Sequence, residues 1–321
     1  MDRKLSPVEI RRSISCHTSY IPYSEFLDLP KTMIATQSSV GPLRTSLALS
    51  KWCLLADVRC FANSAHAELI RSLGRLDTSA ICDADKQMLQ EDETYEEGIR
   101  LLSPTLRPIC GRTTPSHTMV GFARTVQCTQ RNDFLAVLRG LLHSNRLERR
   151  SSPSVLMVDA HHSDRAVAGE LFCRQALSQQ HLVGIVVDGP VRDTAAIRNV
   201  LLDRTTTTTT QQFRVYATSV TPYSGTTESP GAIGVPIQCG GVRVHDDDIV
   251  VGDDDGIVVA NATTFAALLP HAQAIAATEH KIKERMHADG EEVGLKELTN
   301  AEEHIAARLA GNDDSSLTFR L

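Results

Sequence analysis

The feature that most constrains the fold of this chain is a pair of apolar segments separated by an amphipathic stretch. Residues 154–160, "SVLMVDA", and residues 183–187, "VGIVV", each have the length and the apolar run of a buried strand. Between them, "GELFCRQALSQQ" carries its apolar residues at helical spacing. A strand, a helix and a second strand predict a β-α-β unit with parallel strands. The fold class is therefore predicted to be α/β.

The segments on either side of this unit extend the same pattern. Residues 67–76, "AELIRSLGRL", predict a helix, and a second helix is predicted after an N-cap in Asp77-Thr78-Ser79. Next come a predicted strand, "TMVGFARTVQC", and a predicted helix, "NDFLAVLRGLLHS". Three later β segments, "RVYATSV", "GVPIQCGGVRV" and "DIVVGDDDGIVVA", have Gly-rich or Asp-Gly turns that predict hairpins. Residues 262–288 predict a long helix that is interrupted or bent at Pro270.

The regularity of the pattern divides the chain into three parts. Residues 1–65 are rich in Ser, Thr and Pro with weak periodicity, and are predicted to be an appended, poorly ordered extension. A mitochondrial transit peptide is an alternative, which acidic residues such as Asp2 and Glu9 oppose. Regular patterning over residues 66–290 predicts one domain, and residues 291–321 predict a C-terminal helix and a polar tail.

Composition excludes several classes of partner. The chain has 321 residues, of which 41% are hydrophobic and 22% charged, and its net charge is -6, values typical of a soluble globular protein. There is no basic surplus to drive nucleic-acid binding, and no apolar run approaches the roughly 18 residues that cross a bilayer. The eight cysteines form no Cys-x-x-Cys pair, which indicates reduced thiols. The predicted location is cytoplasmic, with neither nucleic acid nor membrane as a partner.

The end of the second strand of the β-α-β unit carries a charged pair. The strand runs into Asp188-Gly189-Pro190, which is predicted to be a turn that stops it, and Arg192 and Asp193 follow. Ligands of α/β proteins usually bind at the carboxyl ends of strands. The competing interpretation is an exposed ion pair of little energetic weight.

Six aspartates in residues 245–260, "HDDDIVVGDDDGIVVA", resemble a calcium loop at first sight. The ligand spacing does not fit, because aligning Gly256 with the glycine of an EF-hand puts Val251 at the first ligand position and Ala262 at the last. The prediction is instead a β-hairpin, with "DIVV" and "GIVVA" as paired strands and the aspartates in the turn.

Two adjacent histidines, His161 and His162, follow the first strand of the unit. Neighbouring side chains at a strand end point in different directions, and no third His or Cys stands at ligand spacing. Both are therefore predicted to be polar loop residues and not metal ligands. The threonine-rich stretch 205–212, "TTTTTTQQ", is likewise predicted to be a solvent-exposed loop.

Several motifs occur together in one order. They are "LDTSAICDA" (76–84), "VLMVDA" followed by "AVAGELFCRQA" (155–176), "GIVVDGPVRD" (184–193) and "GVPIQCGGVRVHDDDIVVGDDDGIVVA" (234–260). In sequence and approximate spacing they resemble the class II 4-hydroxy-4-methyl-2-oxoglutarate aldolases and the related regulators of ribonuclease activity A. This resemblance implies a swivelling β/β/α domain with a mixed sheet and flanking helices, which assembles as a homotrimer.

The resemblance also implies a site made of a helix start and the charged pair. Substrate would be bound by the backbone of Gly169, Glu170, Leu171 and Phe172 and by Arg192, while Asp193 would ligate Mg²⁺ or Mn²⁺. Arg192 and Glu170 would be the catalytic residues, with Glu170 positioning a water or moving a proton. The chain departs from the family pattern at Ala196, where an acid is expected, and by one additional residue between Glu170 and Arg192.

These residue types suit a small 2-oxo acid. A hard cation held by Asp193 chelates a carboxylate together with the neighbouring keto oxygen, and the guanidinium of Arg192 pairs with carboxylate or enolate oxygens. The N–H groups at a helix start bind anions.

The function implied is a lyase that yields pyruvate through a metal-stabilised enolate, by retro-aldol cleavage of 4-hydroxy-4-methyl-2-oxoglutarate or by decarboxylation of oxaloacetate. The alternative, favoured by Ala196, is a non-catalytic regulator that binds a ribonuclease or another protein.

Overall fold

The computed structural model describes residues 65–91, 95, 98–110, 118–144, 152–179, 181–204, 213–286, 294–312 and 314–319. The predicted N-terminal extension, except residue 65, and the threonine-rich stretch 205–212 lie outside the described residues. The described helices are α1 (65–73), α2 (Thr78–Glu91), α3 (Leu135–Ser144), α4 (Glu170–Leu177), α5 (Thr194–Arg204), α6 (Ala262–Met286), α7 (Leu295–Leu298) and α8 (Ala301–Leu309). The described strands are β1 (Arg100–Leu101), β2 (Arg107–Cys110), β3 (Met119–Gln127), β4 (Ser154–Asp159), β5 (Leu182–Val191), β6 (Arg214–Val220), β7 (Ala232–Ile233), β8 (Ile237–Cys239), β9 (Val242–Val244), β10 (Ile249–Gly252) and β11 (Ile257–Ala260).

The predicted β-α-β unit is confirmed and lies in the centre of a mixed sheet. Strands β4 and β5 are parallel, and their register runs from Val155 opposite Gly184 to Asp159 opposite Asp188. The sheet order is β1-β11-β10-β3-β4-β5-β6-β2, with β7 added antiparallel to β3. The four strands β3 to β6 are parallel to one another. The pairs outside this group, from β10 to β3, β11 to β10, β1 to β11 and β2 to β6, are antiparallel. The predicted α/β class with a mixed sheet and flanking helices is therefore confirmed.

Both faces of the central strands are buried, which explains their continuous apolar runs. On one face, Ile185 and Val187 of β5 pack in a core with α3, α4 and α5. On the opposite face, Val186 packs in a core that includes the β8-β9 hairpin. A further core packs α1, α2 and α6 against β3, β10 and β11. Helices α4 and α5 are thereby fixed against β5, the strand that carries the candidate site at its end.

The structure corrects the predicted end of β5. Asp188-Gly189-Pro190 does not stop the strand, which continues to Val191 across an irregularity in its pairing with β6. A Cβ on Gly189 would lie 2.5 Å from the Cβ of Ala160, so glycine permits the close approach of the chain after β4. Proline, which has no N–H for the ladder, is tolerated where pairing is irregular. Pairing of β5 with β4 on one side and β6 on the other therefore keeps these residues in the strand, although their sequence favours a turn.

The aspartate-rich hairpin is confirmed, but its aspartates do more than shape one turn. Strands β10 and β11 pair antiparallel with residues 253–256 between them, whereas residues 246–248 lie in the turn before β10. Asp253 accepts hydrogen bonds from the N–H and the hydroxyl of Thr78, both at 2.7 Å, at the start of α2. Asp248 pairs with Arg100 at 2.8 Å, and Asp254 pairs with Arg214 at 2.6 Å.

Helices α1, α2, α3 and α6 agree with the predictions except at Pro270, whereas helix α5 was not predicted from the sequence. The predicted N-cap of α2 is confirmed, since Asp77 Oδ1 accepts the N–H of Ala80 at 2.7 Å. Helix α6 is continuous through Pro270, so of the two predicted alternatives, an interruption or a bend, the interruption is wrong. Buried Leu268 before the proline and Ala272 after it pack in one core, and this packing holds the helix together. Of the helices in the described ranges, none is long and apolar enough to cross a membrane.

Candidate functional site

The predicted charged pair lies directly at the carboxyl end of β5. Val191 is the last strand residue, and Asp193 adopts a left-handed backbone conformation with φ +60°. Its carbonyl oxygen accepts the N–H of Ile197 at 2.9 Å, so Asp193 is the N-cap residue directly before α5, which begins at Thr194. Aspartate tolerates this conformation better than most residues that carry a side chain. The backbone thus turns sharply from strand to helix and leaves both charged side chains at the strand end.

Gly169 brings the start of α4 against this pair. Its φ of -161° and ψ of -164° are ordinary extended values, so glycine is not needed there for its backbone freedom. Its lack of a side chain permits the close approach, because a Cβ at this position would lie 2.8 Å from Asp193 Oδ2 and 3.1 Å from Arg192 Cγ and would displace those side chains. The helix start and the charged pair are therefore in direct contact.

Backbone hydrogen bonds join the two segments. The N–H of Arg192 donates to the carbonyl of Ala168 at 3.0 Å, and the N–H of Val167 donates to the carbonyl of Pro190 at 3.1 Å. Ala168 also forms a parallel bridge with Val191. The segment before α4 is thus an extension of the sheet beside the end of β5, which fixes the distance between the helix start and Arg192.

The first turn of α4, next to this contact, has N–H groups without an acceptor in the helix. The earliest helical hydrogen bond runs from the N–H of Cys173 to the carbonyl of Gly169 at 3.2 Å. The N–H groups of residues 170–172 precede that bond and have no acceptor within the helix. Gly169 supplies no side-chain cap. A helix start of this kind attracts an anionic group such as a carboxylate.

The other predicted side chains have distinct environments. Glu170 accepts a hydrogen bond from Arg174 Nε at 2.7 Å, one turn along the helix. Leu171 is 74% exposed. Phe172 packs against the core and meets Phe134 edge to face, with 5.7 Å between the ring centroids. Leu171 and Phe172 therefore bring only backbone groups to the predicted site.

The charges at the strand end are accessible. Arg192 Nε lies 3.3 Å from Asp193 Oδ2, and the side chains are 39% and 44% exposed. A pair this exposed contributes little to stability. The Arg192-Asp193 pair differs from an ordinary surface ion pair because it is in close contact with Gly169.

Asp193 is the residue that was predicted to ligate a divalent cation. Among the described residues, no group of three or more His, Cys, Asp or Glu side chains is arranged to hold a metal. The first turn of α5 has no acidic residue, with Ala196 at the position where an acid was expected. Mg²⁺ commonly takes one or two carboxylates and fills its remaining positions with substrate and water. A half-exposed aspartate beside a helix start fits a cation held mainly by those other ligands.

A wall beside the site was not predicted from the sequence. Residues 221–231 follow β6 and run along the segment before α4, where the N–H of Ala166 donates to the carbonyl of Tyr223 at 2.8 Å. The guanidinium of Arg165 lies over the ring of Tyr223, 4.5 Å from its centroid. Two glycines mark where this stretch approaches other backbone closely, since a Cβ at Gly225 would clash with the carbonyl oxygen of Asn132 and a Cβ at Gly231 with that of Gln127.

His161 and His162 are loop residues, as predicted. Both are exposed and both have a left-handed backbone, with φ of +51° and +54°. Their ring centroids are 6.3 Å apart. The N–H of His161 donates to Asp159 Oδ1 at 3.0 Å, so these residues form the turn that follows β4.

The fold and the strand-end site together define a mixed α/β protein with an anion-attracting helix start beside an exposed Arg-Asp pair. The family described as RraA-like, Aldolase/RraA, matches residues 78–259, more than half of the chain. The chain therefore belongs to the RraA-like family, and the predicted swivelling β/β/α fold of that family is confirmed.

Individual relatives agree with this assignment. A protein of Halalkalibacterium halodurans, provisionally named 4-hydroxy-4-methyl-2-oxoglutarate aldolase, is 29% identical over 198 residues, which are 61% of this chain and 78% of that protein. An uncharacterised protein of Methanocaldococcus jannaschii is 34% identical over 103 residues, which are 32% of this chain and 44% of that protein. The structure of an uncharacterised protein from Pseudomonas syringae pv. tomato superposes with a TM-score of 0.51 at 21% identity, covering 72% of this chain and 96% of that one. This last similarity concerns the fold alone.

Proposed function

We propose that this protein is a divalent-metal-dependent lyase that cleaves short 2-oxo acids to pyruvate. The proposed reactions are retro-aldol cleavage of 4-hydroxy-4-methyl-2-oxoglutarate and decarboxylation of oxaloacetate. The observation that carries the proposal is the contact between Gly169 at the start of α4 and the Arg192-Asp193 pair at the end of β5. The relative from Halalkalibacterium halodurans with the provisional aldolase name supports the same reaction class.

The helix start and Arg192 would bind the pyruvyl half of the substrate. A carboxylate placed at Gly169 accepts hydrogen bonds from the N–H groups of residues 170–172. The guanidinium of Arg192, which is always charged and offers a fork of donors, pairs with an oxygen of the same pyruvyl unit. Because backbone hydrogen bonds hold the two segments together, the substrate would meet both groups in a fixed relative position.

Asp193 would hold Mg²⁺ or Mn²⁺ with its exposed carboxylate. When bound there, the cation supplies Lewis-acid stabilisation of the negative charge that develops on the keto oxygen. Arg192 lies beside Asp193 and adds positive charge at the same place.

Both reactions break the bond between C3 and C4 of the substrate. In the retro-aldol cleavage the C4 hydroxyl loses its proton, the bonding electrons pass to C3, and protonation of C3 completes two molecules of pyruvate. In the decarboxylation CO₂ leaves, and C3 is protonated in the same way. We assign Glu170, at the first position of α4, to hold the water that carries these protons, with Arg174 fixing its carboxylate.

The proposed assembly is a homotrimer. Large apolar side chains near the site are exposed in the single chain, including Leu171 at 74%, Val220 at 54% and Tyr223 at 65%. Apolar surface of this kind is characteristic of a contact face, and a neighbouring subunit would cover it.

The test measures pyruvate release from both substrates with Mg²⁺ or Mn²⁺, after subtraction of a protein-free blank that contains the same metal. Asp193→Asn removes the charge but tolerates the left-handed backbone, and is expected to lower the rate at least about 100-fold. Asp247→Asn is the matched control, because Asp247 also has a left-handed backbone with φ +72°, is also 44% exposed and also pairs with an arginine, Arg124. Equal rates for wild type and Asp193→Asn would sink the proposal.

A second candidate, favoured by Ala196, is a non-catalytic regulator of a protein partner. A chain of that kind would release no pyruvate, and its binding to the partner in a pull-down would be unchanged by Arg192→Ala.

A further inference from the structure

Asn132 and Asp133, two residues between β3 and α3, have an uncommon backbone conformation and an uncommon degree of burial, respectively. Asn132 has a left-handed backbone with φ +64°, and the neighbouring Asp133 is only 1% exposed although it carries a charge. Buried carboxylates are costly unless hydrogen bonds compensate them. The hydrogen-bond partners of Asn132 and Asp133 therefore indicate the structural role of the two residues.

Asn132 binds the loop that leads to α4. Its Oδ1 accepts the hydroxyl of Ser163 and the N–H of Asp164, both at 3.0 Å. Asparagine is well suited to this position, because it tolerates the left-handed backbone and presents an acceptor. This contact fixes residues 163–164, a few positions before Gly169.

Both residues also bind the wall formed by residues 221–231. The carbonyl of Asn132 accepts the N–H of Thr226 at 2.7 Å. Oδ2 of Asp133 accepts three donors of the wall, which are the hydroxyl of Thr226 and the N–H groups of Glu228 and Ser229. Its Oδ1 accepts the N–H of Leu135 at 2.9 Å. Burial acts to raise the pKa of Asp133, but these hydrogen bonds outweigh it and lower that pKa below its usual value.

The loop and the wall in turn bind each other and the end of β5. The N–H of Gly225 donates to the carbonyl of Ala166 at 3.2 Å, and the N–H of Ala166 donates to the carbonyl of Tyr223 at 2.8 Å. The N–H of Thr221 donates to the carbonyl of Val191 at 3.0 Å. A continuous set of hydrogen bonds thus runs from Asn132 and Asp133 to the strand end that precedes Arg192.

We propose that Asn132 and Asp133 are positioning residues, which clamp the loop and the wall so that Gly169 stays in contact with Arg192 and Asp193. They do not touch the substrate. Their effect on turnover rests on the proposed function, whereas their effect on the local structure does not.

The test compares two substitutions of Asn132 and one substitution each of Asp133 and Asp85. Asn132→Gly removes the side-chain acceptor without straining the left-handed backbone, and Asn132→Asp keeps both the acceptor and that tolerance. Asp133→Asn is compared with Asp85→Asn, since Asp85 is another buried aspartate that holds a loop, by accepting the hydroxyl of Tyr95 and the N–H of Ile99. Asp85 lies in α2, which packs in one core with α1 and α6, whereas α4 packs in a different core with α3 and α5.

The kinetic readout separates positioning from general instability. Because the helix start binds the substrate in both the ground state and the transition state, Asn132→Gly is expected to raise KM about tenfold with kcat changed less than about threefold. Asn132→Asp is expected to restore KM to within about twofold of wild type. Asp85→Asn is expected to lower the melting temperature without changing KM. An unchanged KM in Asn132→Gly, or a KM equally high in Asn132→Asp, would overturn the inference.

Hydrogen exchange supplies a readout that does not depend on turnover. The N–H groups of Ala166, Val167 and Arg192 are all hydrogen bonded at the junction. Asn132→Gly is expected to speed their exchange at least about tenfold, and Asp85→Asn to leave it unchanged. If wild type released no pyruvate, the proposed function would be wrong. Hydrogen exchange alone would then test whether Asn132 and Asp133 hold the loop and the wall in place. Unchanged exchange in Asn132→Gly would refute this inference.

Discussion

Replacing Gly169 by alanine tests the candidate site with the smallest change that the structure offers. The added Cβ would lie 2.8 Å from Asp193 Oδ2, 3.1 Å from Arg192 Cγ and 3.4 Å from Arg192 Nε. The backbone at residue 169 is extended, so alanine adds no conformational strain. Apart from the loss of glycine at the N-cap position, the consequence of the substitution is therefore confined to the contact with the two charged side chains.

The magnitude follows from these distances. The carboxylate of Asp193 must retreat by about 0.6 Å to reach a contact of roughly 3.4 Å. Both charged side chains are partly exposed and can move, so the steric cost to folding is small. Loss of glycine at an N-cap position adds about 0.5–1 kcal/mol to the destabilisation. A displacement approaching 1 Å in a catalytic site costs up to about 100-fold in rate, so kcat/KM is expected to fall about 10- to 100-fold.

The assay is pyruvate release in the presence of Mg²⁺, combined with the free energy of unfolding from denaturant titration. Gly98→Ala is the matched control, because a Cβ there would lie 2.7 Å from Oδ1 of a different aspartate, Asp85. Gly98→Ala is expected to lose stability and keep its kcat/KM, whereas Gly169→Ala is expected to lose kcat/KM with a destabilisation of only about 0.5–1 kcal/mol. A kcat/KM for Gly169→Ala within about twofold of wild type would refute the placement of substrate at this contact.

Three further predictions concern single side chains. Arg192→Lys keeps the charge but loses the planar fork of donors, and is expected to lower kcat/KM at least about tenfold in the same assay. Burial raises the pKa of Cys82 to about 11 and that of Cys128 to about 12. Both thiols are therefore expected to resist iodoacetamide at pH 8 in the folded protein and to react after unfolding, as measured by mass spectrometry of their peptides. Because the folded-state pKa of Asp133 is lowered, its contribution to stability is present above its unfolded-state pKa of about 4 and is lost as the pH falls through the folded-state value. The difference in unfolding free energy between wild type and Asp133→Asn is accordingly expected to shrink below about pH 4, and a difference that grew in acid would contradict this assignment.

Periodicity predicted much of the fold because most elements are defined by local patterns. The β8-β9 hairpin illustrates this, since Gly240 and Gly241 have φ of +58° and +79°, the left-handed pair that a tight hairpin turn requires. The end of β5 could not be predicted in the same way. Gly189 and Pro190 carry a local turn signal, but strand pairing and the close approach of Ala160 keep them in the sheet.

The residues of the candidate site could be predicted from the sequence, whereas the residues that hold them in position could not. The helix start at Gly169 and the charged pair at Arg192 stand in recognisable motifs, and both lie at one edge of the sheet. Asn132 and Asp133 gave no such signal, because their partners Ser163 and Glu228 are 31 and 95 residues away in sequence. The structural role of the aspartates before and after β10 was not predicted for the same reason. Asp248 and Asp254 pair with arginines on strands that are far away in the sequence.

The central claim is that Asp193 and the start of α4 bring a divalent cation and a pyruvyl group together. The most direct test is the broadening of the methyl proton resonance of pyruvate by protein-bound Mn²⁺, because paramagnetic relaxation requires the two to lie close to each other. Wild type and Asp247→Asn are expected to broaden the resonance strongly, and Asp193→Asn to leave it as narrow as in a matched sample without protein. Equal broadening by wild type and Asp193→Asn, or none by wild type, would contradict the account.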